Sequence, residues 1–284
     1  MGVAIVLDSS SDPRFADYRD LNSSDRRPDG RGGKGLVIAE GNLVTERLLH
    51  SRCRVRSIVG FEPKLSRFLA QPGVSEQIER RGIPVYSTTR EILADVAGFD
   101  LHRGLLAAAD RPEPREVSGV IEQARTLVIA EGVGDHENIG SLFRNAAGLG
   151  VDGVLFGAGC ADPLYRRVVR VSMGHVLRLP FAHLEGGYTT WQRSLDEVRE
   201  AGFHIVSLTP NPKAALLKDA LVDEHGEPYE KVALLIGAEG PGLTEHAMRA
   251  TDIRARIPMA AGTDSLNVAT AAAVALYERA RSLA

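Results

Sequence analysis

Val232-Ala-Leu-Leu-Ile-Gly-Ala-Glu-Gly-Pro-Gly242 reads as an apolar strand that runs straight into a glycine-rich turn, with Glu239 the one charged side chain in the turn. A helix is predicted to follow over 243–250, with Thr244 as its cap. Outward from this stretch the same alternation repeats. Strands are predicted at 126–130, 153–157, 176–180, 203–208, 232–237 and 253–257. Helices are predicted at 140–149, 163–171, 187–201, 213–219, 243–250 and 266–282. Strands alternating with helices argue for an α/β domain whose sheet is mainly parallel and covered on both faces. Ligands of such sheets collect beyond the carboxyl ends of the strands, where Glu239 falls.

Two further segments share the character of the first. Asn138-Ile-Gly140-Ser-Leu-Phe-Arg144 lies in a predicted helix, with Asn138 as its candidate N-cap. Gly140, Arg144 and Gly148 fall on one face of that helix, which leaves Arg144 open to close approach by a ligand or another chain. Leu142, Ala146 and Leu149 are free to face the core. Ile257-Pro-Met259-Ala-Ala-Gly262-Thr-Asp-Ser265-Leu-Asn267 ends a strand and opens an Ala-rich helix. Ser265 is a candidate cap there, and Asn267 in the first turn is a poor helix former without an apolar role. Each segment has a plain structural reading: a surface arginine at a helix crossing, a strand-to-helix turn, a pair of caps. Gly132-Val-Gly134 does not complete a dinucleotide-binding fingerprint, because Glu stands at position 137.

The first part of the chain reads as a smaller α/β domain ending near residue 110. Strands are predicted at 36–39, 55–59, 84–86 and 104–108, and helices at 42–50, 64–81 with a break near Pro72-Gly73, and 89–97. Leu43, Leu48 and Leu49 are expected inward, and Tyr18 to Leu21 is a candidate short helix. Residues 111–125 read as a linker with a following helix, and the second domain as 126–284.

With 284 residues and 44% hydrophobic content, the chain is long enough for two domains with real cores. No apolar run approaches the ~20 residues needed to span a bilayer, and the N-terminus carries no basic leader. The two cysteines, Cys53 and Cys160, do not make a disulfide framework, which fits a reducing cytoplasm. Eight scattered histidines form no Cys/His cluster, so a metal site is not expected. The net charge is -3, yet residues 1–115 hold 18 Lys+Arg against 16 Asp+Glu, and only two of those cations are lysine. Arginine suits phosphate recognition through its planar fork, although a GC-rich genome would favour it as well.

Taken together and in this order, the three segments resemble the motifs of the SpoU (TrmH) family of RNA ribose 2'-O-methyltransferases, within the SPOUT class. The likeness spans residues 126–284. It includes Asp162-Pro-Leu-Tyr165, Arg170-Val-Ser172-Met-Gly174 and Val206-Ser-Leu-Thr209. The first domain is similar, more softly, to the family's substrate-binding domain of ribosomal protein L30e type. That likeness lies in Gly35-Leu-Val-Ile-Ala-Glu40-Gly41, Arg81-Gly-Ile-Pro-Val85 and His102-Arg-Gly104.

The resemblance implies a deep trefoil knot in the C-terminal domain, a homodimer, and S-adenosylmethionine held mostly by backbone. Leu208, Thr209, Gly237, Ala238, Gly240, Ile257, Met259 and Leu266 are the cofactor-binding residues it implies. Arg144 takes the catalytic position, and Asn138, Glu239, Ser265 and Asn267 would position ribose, arginine and methyl group. A guanidinium is very hard to deprotonate, so Arg144 is better read as binding the adjacent phosphate and stabilising developing alkoxide charge. The leaving sulfide is neutral, so the chemistry needs no metal. Arg52, Arg54, Arg56, Arg170 and the 26–34 loop are candidates for RNA backbone contacts, with ribosomal RNA favoured over transfer RNA. An antibiotic-resistance rRNA methyltransferase and an RNA-binding or ribosome-assembly protein without catalysis are the alternatives.

Overall fold

The computed structural model describes residues 4–21, 35–260 and 262–283, so the candidate 26–34 loop lies outside the described residues. The chain forms two compact units, one of residues 1–113 with 164–178, the other of 114–163 with 179–284.

The first unit runs β1 (Ile5–Val6), a 3-10 turn at Pro13–Tyr18, β2 (Leu36–Glu40), α1 (Asn42–Leu49), β3 (Arg54–Gly60), α2 (Lys64–Leu69), α3 (Val74–Arg80), β4 (Val85–Ser87), α4 (Arg90–Ala97) and β5 (Leu105–Asp110). Its five strands are ordered β1-β4-β3-β5-β2, with β5 antiparallel to both neighbours. The helix expected at Tyr18 to Leu21 is instead the 3-10 turn before it. That turn is capped by Asp12, and it buries Phe15 and Tyr18. Tyr18 is held there because its hydroxyl donates to the Ser57 carbonyl at 2.8 Å. Leu43, expected inward, is 42% exposed, and Val44 takes the core position with Leu48 and Leu49. The segment α1 therefore presents the face that starts one residue later.

The second unit runs α5 (Ser118–Ile121), β6 (Thr126–Glu131), α6 (His136–Gly148), β7 (Gly153–Phe156), then α7 (Arg166–Val171), which groups with the first unit, β8 (Phe181–His183), α8 (Leu195–Glu200), β9 (His204–Leu208), β10 (Ala215–Leu216), α9 (Leu217–Ala220), β11 (Val232–Gly237), α10 (Glu245–Arg249), β12 (Ile253–Arg256) and α11 (Val268–Ser282). Its seven strands are ordered β10-β12-β9-β11-β6-β7-β8, and every pairing is parallel. The mainly parallel α/β sheet read from the sequence is therefore present. The middle strand β11 is buried from Val232 to Ile236. Its Ala233 and Leu235 enter a cluster with Trp191, Leu195 and Phe203, while α6 and α11 pack together.

Three local readings fail. The strand expected at 176–180 is a 3-10 turn at His175–Leu177, entered through Met173 and Gly174 at positive φ, and the strand forms later at 181–183. The helix expected over 187–201 is a 3-10 turn at Trp191–Ser194 leading into α8. The helix expected over 213–219 begins as the two-residue strand β10, paired with β12, before α9. Residues 164–178 also depart from the expected 126–284 domain. Here α7 sits on β2, and Arg166 Nη1 lies 3.6 Å from Oε2 of the buried Glu40.

Candidate active site

Because all seven strands of the second unit are parallel, the carboxyl ends of the adjacent strands β12, β9 and β11 point the same way. The loops leaving them line one cleft of about 310 Å3. Leu208, Thr209, Gly237, Ala238, Gly240, Ile257, Met259 and Leu266, the eight residues expected to hold a cofactor, all lie along it, as do Glu239 and Ser265. The walls are mostly aliphatic side chains and loop backbone, and Glu239 is the one charged side chain among the described lining residues.

Gly237 ends β11, and a Cβ there would come within 2.4 Å of Leu243 N and 2.5 Å of Gly242 C. Any side chain at 237 would therefore push the turn open. Gly240 and Gly242 adopt φ +82 and +68, in the left-handed region that favours glycine. The turn is tied at both ends, with Gly242 N donating to the Ala238 carbonyl. Thr244 caps α10, its hydroxyl accepting from Ala247 N at 3.1 Å.

A residue not singled out in the sequence anchors this turn. Glu131, at the end of β6, is 2% exposed. Its Oε2 accepts from Thr244 N at 2.7 Å, and its Oε1 accepts from Trp191 Nε1 at 2.8 Å and Thr244 Oγ1 at 2.9 Å. Gln192 Nε2 adds a longer contact of 3.4 Å. A buried carboxylate is tolerable only with such donors around it. The signal available beforehand was an acid ending the strand Thr126-Leu-Val-Ile-Ala-Glu131, together with the chain's single tryptophan.

Asparagines link the three sequence segments. Asn267, and not Ser265, is the N-cap of α11: its Oδ1 accepts from Ala269 N at 3.0 Å and Thr270 N at 3.1 Å. Its Nδ2 is thereby turned away from the helix, and it donates to Glu239 Oε1 at 2.5 Å and Asn138 Oδ1 at 2.8 Å. Asn138 does not cap α6. The helix starts at His136, and Asp135 is the cap, accepting from Glu137 N and Asn138 N. Freed from capping, Asn138 meets the other two segments through its side chain. Asn145, two helical turns on, donates to the Ala269 carbonyl at 3.0 Å and ties α6 to α11. Gly140 is buried, Arg144 and Gly148 are exposed, and the Arg144 guanidinium has no hydrogen bond or ion pair among the described residues. The expected bare face around Arg144 therefore holds only over its outer part. Ser265 lies exposed in the loop at the cleft.

The arginines expected to meet RNA behave differently from one another. Arg54 pairs with Asp110 at 2.6 Å, and Arg56 with Asp17 at 2.8 Å and Asp110 at 3.1 Å. These two carboxylates hold the Arg56 guanidinium above its ordinary pKa. Among the described residues Arg52 donates only to the Glu113 carbonyl, at 3.2 Å, and Arg170, half-buried at the end of α7, has no carboxylate partner. A second groove of the first unit collects cations with no acidic partner among the described residues. Lys64, Arg67 and Arg103 line it beside Gly41 and Asn42, and among the described residues Arg103 donates only to the Glu40 carbonyl. The described residues contain no group of acids, histidines and cysteines able to hold a metal, and none of their helices is long and apolar enough to cross a membrane.

The model of the SpoU rRNA methylase family matches residues 125–277, which contain the whole cleft. An uncharacterized tRNA/rRNA methyltransferase of Mycobacterium tuberculosis is 52% identical over 95% of this chain and 90% of its own. The 23S rRNA (guanosine-2'-O-)-methyltransferase RlmB of Bordetella pertussis is 30% identical over 86% of this chain and 96% of its own. Among solved structures, an AdoMet-bound rRNA methyltransferase from Sinorhizobium meliloti shares the fold at a TM-score of 0.79 and 24% identity, with 100% of both chains covered.

Proposed function

The chain belongs to the SpoU rRNA methylase family, and from that premise we propose that it transfers a methyl group from S-adenosylmethionine to a ribose 2'-hydroxyl of ribosomal RNA. The observation that carries this reading is the Asn267 amide. It joins Asn138 and Glu239, each from a different motif, at the edge of a cleft lined by all eight expected cofactor residues. The 2'-hydroxyl as acceptor and ribosomal RNA as substrate follow the 30% identical RlmB.

The cleft suits the cofactor by its chemistry. Aliphatic walls at Leu208, Ile257, Met259 and Leu266 fit an adenine, loop N–H and C=O groups fit its edge, and one carboxylate suits a cation. When bound, S-adenosylmethionine supplies an electrophilic methyl group. The protein's part is placement, and holding two reactants for attack is worth ~7–11 kcal/mol. Glu239, Asn267 and Asn138 form a fixed polar edge that orients the ribose, with Ser265 beside it. Arg144 carries the charge for the phosphate next to that ribose and for the oxygen as its proton departs to solvent.

The neighbourhood of loops 208–217, 237–243 and 257–267 supports a C-terminal trefoil knot around this cleft, and the first unit is read as the L30e-type RNA-binding domain. Leu266, Val274, Tyr277 and Leu283 are large exposed hydrophobics on or beside α11, which supports a homodimer that covers them; sedimentation at the monomer mass would reject it. RNA backbone contacts are assigned to the cations without acidic partners among the described residues, Lys64, Arg67, Arg103, Arg52 and Arg170, ahead of Arg54 and Arg56.

Arg144→Ala tests the central assignment. It should abolish methyl transfer to ribosomal RNA while S-adenosylmethionine binding stays near normal, because Arg144 does not line the cleft. Retained turnover in the variant would refute the role given to Arg144.

A further inference from the structure

Glu239 differs in kind from everything else around the cleft. The other described lining residues are uncharged, their polar side chains being the hydroxyls of Thr209 and Ser265. One carboxylate oxygen, Oε1, is engaged by Asn267 Nδ2 at 2.5 Å. The other has no partner among the described residues. Asn267 cannot rotate its amide to a different arrangement without giving up the cap of α11, since its Oδ1 accepts from two backbone N–H groups. Glu239, which lines the cleft, is therefore fixed through one oxygen and has the other left for a ligand.

The two adenosyl ligands that this site meets in one turnover differ by a charge. S-adenosylmethionine carries a sulfonium. Once the methyl group has left, with the C–S electron pair kept by sulfur, S-adenosylhomocysteine holds a neutral sulfide. Hydrophobic walls and backbone hydrogen bonds, which make up the rest of this cleft, contact both alike. On the reading of function above, we propose that Glu239, held by Asn267, is the specificity-determining group that favours the charged cofactor over its neutral product and so limits product inhibition. Uniform contacts give affinity without discrimination, and only a charge answers a charge difference.

Calorimetric titration of the full-length protein with S-adenosylmethionine and with S-adenosylhomocysteine, at low and at raised salt, tests this directly. Glu239→Gln keeps the size and the hydrogen bond from Asn267 while removing the charge. It should weaken S-adenosylmethionine roughly five-fold, the upper range for a solvent-accessible ion pair, and leave S-adenosylhomocysteine unchanged. Glu239→Asp should keep the preference, and raised salt should narrow it in the wild type. Equal loss for both compounds would place Glu239 against the amino group that they share and overturn the inference alone. No loss for either would overturn it as well. A wild-type protein that binds neither compound would overturn both the inference and the reading of function beneath it.

Discussion

Glu131→Gln should cost the second unit a large part of its stability and loosen the cofactor turn with it. The carboxylate has three close partners, and two of them, Trp191 Nε1 and Thr244 N, are donors only. The charge is spread over two oxygens, one serving each of those donors. Glutamine has a single oxygen, so its NH2 must face one of the two N–H groups. At 2% exposure no solvent rescues the pair. A buried donor left without a partner costs about 1–3 kcal/mol, and each charged hydrogen bond replaced by a neutral one costs somewhat more. A loss of roughly 3 kcal/mol is the expected size, which for a unit of this length lowers the melting temperature by about 6–12 °C. Scanning calorimetry on the full chain resolves that shift, and titration with S-adenosylmethionine reads the second effect. Thr244 closes the turn that begins at Gly237, so affinity should fall although Glu131 is not itself among the residues that line the cleft. A melting temperature within 2 °C of wild type would refute the argument from donor geometry.

Two further outcomes follow from charge. Reversing Lys64 and Arg67 together to Glu should weaken ribosomal RNA binding and flatten its salt dependence by about 0.7–0.9 per lost phosphate contact, measured by filter binding from low to moderate salt. Arg54 and Arg56 reversals should do less, because Asp110 and Asp17 already offset their charge; the opposite ranking would reject the groove beside Gly41. Burial holds the His204 imidazole below its ordinary value of 6.5, against the pull of Asp252. The unfolded chain thus takes up this proton first, and stability drains away as pH falls below about 6.5 until the folded state is protonated too. His204→Phe, which preserves the stack on Tyr229 at 3.8 Å, should melt with a shallower slope between pH 7.5 and 5.5; identical slopes in the two proteins would sink the assignment.

The sheet of the second unit was legible where its strands, β6, β7 and β11, are apolar runs ended or followed by glycine or acid, and β11 has its predicted span, 232–237. Caps were harder. Asp135 and Asn138 are both good capping residues three positions apart, and choosing between them moves the start of α6 by most of a turn. The choice had a chemical consequence, since a capping Asn138 would spend on backbone N–H groups the Oδ1 that accepts from Asn267. Residues 176–180, Val-Leu-Arg-Leu-Pro, are mostly apolar and so look like a strand. The positive φ of Met173 and Gly174 turns the chain before them, and nothing in that apolar run shows it. Glu131 was hidden for a different reason. An acid after four apolar residues looks like a strand end reaching water, and only the fold brings Trp191 and Thr244, 60 and 113 positions away, to meet it.

The identity of residue 267 follows from these neighbours and not from the helix alone. For capping, Ser, Thr, Asp and Asn serve about equally well. The cap uses one acceptor, Oδ1, and the remaining terminal atom then faces Glu239 Oε1 and Asn138 Oδ1, both acceptors at hydrogen-bond distance. Aspartate would cap α11 but set a second carboxylate against Glu239, a like-charge contact in which one group must take up a proton. Serine and threonine would cap but end at a single hydroxyl, with no second arm. Asparagine alone of the good caps joins an acceptor to a two-proton donor on one rigid plane. The negative charge at 239 and the acceptor at 138 thus set the residue type at 267, which is how three segments that each had an ordinary structural explanation act as one site.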